Sequence, residues 1–220
     1  MKTNVLCKQD KLLHLSELSS DFRDGEIDGA EEIPGKIKEN KSNSFSHLKL
    51  TMAKPAGKDI FKYFAYGSNL LRERILINNP SAKFYGIGKL KGYSFAFDSP
   101  EGVNTDRWLG AIATIQKVNQ PVSVYGVIWD IHVKDLDNLD RQEGCYDAIQ
   151  VHVEIVSTNQ TEMSENTPVE VVQCRTYQLS KGNGITLPSP YYKKVILMGA
   201  QQNGLPKEYM TSIEHLPDNK

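Results

Sequence analysis

Residues 60–70 read IFKYFAYGSNL and form the junction from which the fold can be worked out. The aromatic and apolar residues of 60–66 stop at Gly67-Ser68, which predicts a strand that enters a tight turn. Apolar residues then recur at helical spacing, so the sequence predicts a helix over 70–79 with Asn69 as its N-cap. Such a junction presents successive backbone N–H groups to an anion, and the helix dipole favours negative charge there. The junction is therefore either an anion site or an ordinary capped turn.

Beyond this junction, the predicted strands cluster instead of alternating with helices. Further strands are predicted over Lys83–Gly88, Tyr93–Asp98, Gly110–Gln116, Val122–Asp130, Ala148–Val156 and Val169–Leu179, the last two as a hairpin across a polar loop at 157–167. Further helices are predicted over Lys134–Glu143, over Tyr191–Gln202, and from Pro206 to about His215. This order excludes a doubly wound parallel fold. It predicts an α+β domain, a small, mostly antiparallel sheet or partial barrel with peripheral helices.

The composition of the 220-residue chain excludes several classes of protein. A net charge of −1 argues against a strongly basic nucleic-acid binder and gives no attraction to anionic membranes. No apolar run approaches the roughly 18 residues that span a bilayer, so we expect no membrane association. The three cysteines form no C-x-x-C pair and the start has no apolar signal core. We therefore expect a cytoplasmic protein with reduced thiols and no metal site.

Composition changes near residue 58. Residues 1–58 contain 19 charged side chains but only two aromatic ones, Phe22 and Phe45. Such a segment buries too little apolar surface to offset the entropy of ordering its backbone. We therefore predict a largely disordered extension over 1–58, with a transient helix over Lys11–Leu18, and a globular domain over 59–220. Met52 is a candidate second translation start.

A second candidate feature is the segment 136–144, which reads LDNLDRQEG. Leu136, Leu139 and Glu143 stand at i, i+3 and i+7 and share one helix face. If the leucines face the core, Glu143 also faces inward, where burial raises the pKa of a carboxyl and suits it to general acid–base work. The alternative is that Glu143 lies in water at a frayed helix end. The residues alone leave both possibilities open.

The third feature is PSPYYKK at 188–194, where two prolines fix the entry of a helix that carries Tyr192. With these three segments, the chain resembles the γ-glutamylcyclotransferases over most of residues 61–210. The motifs that carry the resemblance are FAYGSNL at 64–70, NNPSAKF at 78–84, GAIATI at 110–115, YGVIW at 125–129, LDRQEG at 139–144, PSPYYKK at 188–194 and MGAQQNGLP at 198–206.

The resemblance implies a small, mixed β-barrel with flanking helices, typically a homodimer. It implies conversion of an L-γ-glutamyl amino acid, such as a γ-glutamyl dipeptide, into 5-oxoproline and a free amino acid without a cofactor or metal. By resemblance, Glu143 is the catalytic acid–base residue. The substrate-binding residues implied in the same way are Tyr63, Phe64, Ala65, Tyr66, Gly67, Ser68, Tyr177 and Tyr192. The loop from Gly144 to Tyr146 is shorter than expected, so we expect the pocket wall beside Glu143 to differ from that of relatives.

Three alternatives accompany this interpretation. One is a related cyclotransferase that acts on γ-glutamylamines or on glutathione, against which the YGSNL form of the loop argues. Another is a binding module that kept the fold without the chemistry, which the presence of Glu143 disfavours. The third is a docking or scaffold role for the extension over 1–58, which is compatible with catalysis.

Overall fold

A closed five-stranded barrel forms the centre of the computed structural model, which describes residues 59–101, 108–156, 169–179 and 181–220. Within these residues the strands are β1 (Ile60–Ala65), β2 (Lys83–Lys91), β3 (Tyr93–Asp98), β4 (Ile112–Lys117), β5 (Ser123–His132), β6 (Asp147–Val156) and β7 (Val171–Gln178). The barrel order is β1-β5-β2-β6-β7, with antiparallel pairing throughout except where β7 meets β1 in parallel at Arg175 and Tyr63. Strands β3 and β4 form a separate antiparallel pair.

Four α-helices lie around these strands in the described part of the chain: α1 (Arg72–Asn78), α2 (Leu136–Gln142), α3 (Pro190–Gln202) and α4 (Lys207–Glu214). Short 3₁₀ turns over Ser68–Leu70 and Val133–Asp135 precede α1 and α2. Helix α3 begins as its sequence dictates. Ser189 accepts a hydrogen bond from the Tyr192 N–H at 3.1 Å, and Pro190 occupies the first position, where its missing N–H costs nothing.

The core is apolar and draws on both the barrel and the helices. Its largest fully buried apolar side chains are Phe64, Leu70, Ile75, Leu90, Ile115, Ile128, Trp129, Ile131, Leu139, Ile196 and Ile213. Gly126 allows β5 to approach β1 closely, because a Cβ there would lie 2.3 Å from the Ala65 carbonyl oxygen. The core therefore anchors β1 and the first turn after it, the two elements that carry the FAYGSNL motif.

The predicted α+β barrel with peripheral helices is confirmed, as is the β6–β7 hairpin, whose register pairs Val151 with Cys174. The prediction that Asn69 caps the first helix is wrong. Asn69 lies inside the 3₁₀ turn, and the N-cap of α1 is Leu71, without a side-chain cap. The Asn69 side chain instead makes tertiary hydrogen bonds, which are described below.

Several predictions concern residues outside the described ranges. They are the disordered extension over 1–58, the transient helix over Lys11–Leu18, the second start at Met52, and the polar loop over 157–167. Within the described ranges, no helix combines the length and the hydropathy required to cross a membrane.

Candidate active site

The YGSN turn joins β1 to α1 and lies against α3. The Leu70 N–H donates to the Gly67 carbonyl at 3.0 Å and the Leu71 N–H donates to the Ser68 carbonyl at 3.2 Å, which tightens the turn. A Cβ on Gly67 would lie 3.3 Å from the Ala113 Cβ and 3.4 Å from the Tyr192 hydroxyl oxygen. Glycine therefore lets this turn lie closely against Ala113 of β4, beside the Tyr192 hydroxyl.

Glu143 terminates α2 and turns back toward this loop. Its backbone (φ −95°, ψ 23°) is the C-cap, and its N–H donates to the Leu139 carbonyl at 3.0 Å. The residue is half-buried. Its Oε1 accepts a hydrogen bond of 2.9 Å from the Asn69 Nδ2, across 74 positions of sequence. The structure therefore places Glu143 at the loop with its carboxylate bonded, not in water at a frayed helix end.

Asn69 connects the predicted site residues to one another. Its Nδ2 donates to Glu143 and also to the Tyr63 hydroxyl at 3.1 Å, while its Oδ1 accepts from the Gln142 Nε2 at 2.9 Å. Its backbone carbonyl accepts from the Trp129 indole at 3.1 Å. Because Gln142 occupies the oxygen side of the amide, the NH₂ side faces Glu143 and Tyr63. A buried amide with this many partners has one orientation, so it holds the carboxylate in a defined position.

Four buried or half-buried tyrosines surround Glu143: Tyr63, Tyr66, Tyr146 and Tyr192. Burial raises the pKa of each of these hydroxyls, and the negative charge of Glu143 raises each one further. All four are therefore neutral hydroxyls at physiological pH. They can donate or accept hydrogen bonds, but they do not supply a phenolate base.

Two of these tyrosines are attached to the same strand residue. The Tyr192 hydroxyl accepts from the Ala113 N–H at 3.1 Å, and the Tyr146 hydroxyl donates to the Ala113 carbonyl at 2.7 Å. The Tyr146 N–H in turn donates to the Glu143 carbonyl at 2.8 Å. The short stretch after Gly144 thus brings Tyr146 onto β4, where it helps to form the wall beside Glu143.

The remaining predicted site residues contribute less directly. The side chains of Phe64 and Ala65 are fully buried in the core, so only their backbone lies within reach of the turn. Tyr66 donates to the Tyr177 carbonyl at 2.5 Å. The Tyr177 hydroxyl donates to Asp140 at 2.5 Å and accepts from the Arg175 Nε at 3.1 Å. The hydroxyl is therefore bonded to both members of the Arg175–Asp140 ion pair.

That ion pair borders a different concave surface. Arg175 bonds both carboxylate oxygens of Asp140, at 2.7 and 2.9 Å. Arg175 also lines a cleft of about 700 Å³ between the ends of β1 and β7, whose lining does not include Glu143. The Tyr177 ring remains close to the candidate site through an edge contact with Tyr63, at 5.8 Å between ring centroids.

Reasoning from the sequence missed three residues that shape this site: Asn69, Gln142 and Tyr146. The signal for Asn69 was available in the YGSN motif but pointed equally to a helix cap. Gln142 precedes Glu143 in the motif, and nothing in its local pattern shows that it reaches Asn69. Among the described residues, no cluster of three or more histidine, cysteine or acidic side chains is placed to bind a metal.

Comparison with known proteins identifies the class to which this fold and site belong. Residues 123–213 match the model of the AIG2-like family. The γ-glutamylcyclotransferase of Bos taurus is 42% identical over 159 residues, which cover 72% of this chain and 80% of the relative. That of Homo sapiens is 39% identical over 162 residues, which cover 74% of this chain and 81% of the relative. A solved γ-glutamyl cyclotransferase structure superposes with a TM-score of 0.65 at 37% identity, covering 74% of this chain and 90% of that one.

The chain belongs to the γ-glutamylcyclotransferase family. The identity and coverage of these relatives confirm the resemblance read from the motifs, the fold class, and the prediction that the chain is an enzyme, a cyclotransferase of the lyase class.

Proposed function

We propose that this chain converts an L-γ-glutamyl amino acid into 5-oxo-L-proline and a free amino acid, with Glu143 as the group that moves protons. The observation that carries the proposal is the 2.9 Å hydrogen bond between the Asn69 Nδ2 and the Glu143 Oε1. It joins the turn that would hold the substrate to the only acid in the QEG motif. The names of the relatives support the substrate class.

The chemistry requires one group that both accepts and returns a proton. The α-amine of the substrate attacks the γ-amide carbonyl carbon, a C–N bond forms, and a five-membered ring closes. The amine is protonated at neutral pH and must lose protons to attack, while the nitrogen that departs with the free amino acid must gain one. A carboxylate beside both nitrogens performs both transfers. Glu143 is half-buried and fixed by Asn69, which suits this role.

The turn supplies donors for the charged parts of the substrate. The N–H groups of Ser68 and Asn69 lie at the start of the 3₁₀ turn, where the turn itself provides them with no acceptor. They are suited to the substrate α-carboxylate or to the oxyanion that develops at the γ-carbonyl. A donor aimed at a developing oxyanion lowers the barrier by about 2.7–4 kcal/mol. Tyr192, held by Ala113 and adjacent to Gly67, offers a ring face and a hydroxyl oxygen to the bound substrate.

Much of the rate enhancement then comes from positioning. Because nucleophile and electrophile belong to one molecule, the protein has to select the folded substrate conformer in which the amine approaches the carbonyl. The wall of neutral tyrosines around Glu143 limits water at this point and strengthens its electrostatic interactions. No step in this scheme requires an external cofactor.

The experiment is formation of 5-oxoproline from γ-glutamyl-alanine, with wild type and Glu143→Gln compared at equal concentration of folded protein. Glu143→Gln keeps the shape of the side chain and removes its titrating group, so turnover should fall by about 10²–10⁴-fold with little change in Tm. Glu208→Gln, on the exposed first turn of α4, is the matched control and should retain full turnover. Near-normal turnover in folded Glu143→Gln would refute the assignment.

Two further proposals are a homodimer, which the resemblance supports, and a cytoplasmic location, which the cysteine pattern of the sequence supports. Light scattering coupled to size-exclusion chromatography tests the first, with a mass of about twice 24.7 kDa expected. Fractionation of cells that express the chain tests the second.

A further inference from the structure

Arg74, in the first turn of α1, is buried without a hydrogen-bond partner among the described residues. Its side chain is 1% exposed, and the Nε, Nη1 and Nη2 atoms donate to no described atom. Burial lowers the pKa of the guanidinium, but an arginine remains charged at neutral pH. Burying an unpaired charge is strongly unfavourable. Folding stability therefore does not explain an arginine at this position.

The helix that carries Arg74 is bonded to the residue before Glu143, because the Nδ2 of its C-cap, Asn79, donates to the Gln142 Oε1 at 3.3 Å. Helix α1 packs against α2, the helix that Glu143 terminates. Glu143 opposes the effect of burial and raises the pKa of the Arg74 guanidinium, and Tyr192 and Tyr63 do so to a smaller extent. These are residues of the candidate active site, although Arg74 lies outside the turn that the sequence motif marks.

Arg74 and four tyrosines respond to the charge of Glu143. Within the described residues, the titratable side chains whose charge state responds to Glu143 come from β1, the turn, α1, the segment after α2, and α3: Tyr63, Tyr66, Arg74, Tyr146 and Tyr192. The four tyrosines are neutral, and the low-dielectric wall that they form disfavours an ionised carboxylate. Arg74 is the cation of this set.

We propose that Arg74 is a positioning residue for the reaction: its buried charge keeps Glu143 in the ionised form that accepts the proton of the substrate amine. The proposal rests on the proposed role of Glu143. This role accounts for an arginine whose guanidinium makes no hydrogen bond to the described residues. A charge acts on a nearby carboxylate through its electrostatic field, and no direct bond between the two groups is required. An opposite charge nearby favours the charged form of a carboxyl.

Arg74 does this without touching the substrate. Each of its three guanidinium nitrogens is inaccessible to solvent, so none can bond the α-carboxylate of a bound γ-glutamyl group. This separates Arg74 from the arginines that bind carboxylates bidentately in exposed pockets. The expected consequence of removing its charge is a change in the protonation of Glu143, with little direct loss of substrate affinity.

The test titrates Glu143 directly, by ¹³C NMR of protein that is labelled at glutamate Cδ. The Glu143 signal is assigned by its absence from Glu143→Gln. Arg74→Met and Arg74→Gln remove the charge with different head groups, and Arg74→Lys keeps it. Arg72→Met removes an exposed arginine from the same helix and is the control. In the two neutral variants the Glu143 midpoint should rise by about one pH unit or more, and in Arg74→Lys and Arg72→Met it should stay near wild type.

A second measurement follows kcat/KM for γ-glutamyl-alanine against pH. The acid limb should move to higher pH in the neutral variants, which lowers kcat/KM by about tenfold or more on the acid side, and Arg74→Lys should restore it. A purely structural arginine would leave the acid limb unmoved in every folded variant.

The outcomes are separable. An unmoved Glu143 midpoint in either folded neutral variant overturns the inference, as does failure of both neutral variants to fold while Arg74→Lys folds. A raised midpoint in a protein that makes no 5-oxoproline would support the electrostatic coupling and refute the proposed function. A raised midpoint with a shifted acid limb supports both.

Discussion

Asn69→Ala is the substitution for which the structure allows the most detailed prediction. It removes three side-chain hydrogen bonds: those to Glu143 at 2.9 Å and to Tyr63 at 3.1 Å, and that from Gln142 at 2.9 Å. A neutral hydrogen bond contributes about 1 kcal/mol and a bond to a charged group about 1.5–3 kcal/mol. The two neutral bonds therefore account for about 2 kcal/mol of unfolding free energy, or about 4–8 °C in Tm for a domain of this size.

The bond from Asn69 to the Glu143 carboxylate determines the effect on turnover. If Asn69 holds Glu143 in its reactive orientation, losing about 1.5–3 kcal/mol corresponds to a fall of about 10- to 150-fold in kcat/KM, at 1.36 kcal/mol per decade. Release of 5-oxoproline from γ-glutamyl-alanine measures this fall, at a temperature where the variant is fully folded.

Two companion variants separate position from stability. Asn203→Ala removes two side-chain hydrogen bonds, to the Leu70 and Gly199 carbonyls at 2.8 and 2.7 Å, without contacting Glu143. It should lower Tm and leave kcat/KM near wild type. Asn69→Asp keeps the shape but sets a second carboxylate against Glu143, so the acid limb of kcat/KM should move to higher pH. Turnover of folded Asn69→Ala within threefold of wild type would refute the reasoning.

Four further predictions follow from the same structure and sequence. A chain that starts at Met52 should fold and cyclise γ-glutamyl dipeptides at a similar rate, and loss of folding or activity would mean that the removed segment packs on the domain. Gly67→Ala should lower kcat/KM by about tenfold or more at nearly constant Tm, because its Cβ would lie 3.3 Å from the Ala113 Cβ and the turn would have to shift to relieve that contact; unchanged kinetics would contradict this. A γ-glutamyl-alanine dipeptide should exceed γ-glutamyl-ε-lysine in kcat/KM, because the latter lacks a carboxylate beside the scissile amide and a missing polar partner in a buried site is costly, and it should also exceed glutathione, whose extra glycine the pocket would have to accommodate; the reverse preference would assign the chain to a sister activity. Burial raises the folded-state pKa of Tyr63 and Tyr66, so the unfolded chain loses these protons first, and Tm should fall as pH rises above about 10; a constant Tm up to pH 11.5 would contradict this.

Much of the fold follows from local sequence patterns. The alternation over 148–156 marks a half-buried strand, and β6 occupies Asp147–Val156. A helix is predicted over Tyr191–Gln202, and α3 occupies Pro190–Gln202. These predictions hold because propensity, capping and periodicity act between residues that are close in the chain. The ordered motifs identified the family for the same reason, since they are contiguous segments.

The function of Asn69 illustrates where local rules stop. A residue between a glycine turn and an apolar stripe satisfies the pattern of an N-cap. The structure instead commits its side chain to Glu143 and Gln142, which lie 74 and 73 positions later. A cap and a site residue require the same polar side chain at this position, so only the packing of α2 against the turn distinguishes them.

Arg74 illustrates the same limit for charge. In RERILIN, Arg72 and Arg74 stand two residues apart and therefore point to different sides of a helix. Whether Arg72 or Arg74 turns inward depends on which side of α1 meets α2 and the barrel. The tertiary structure determines that Arg72 is exposed and that Arg74 is buried near Glu143. The burial of a side chain depends on which distant segments pack against it, and a local sequence pattern does not specify those segments.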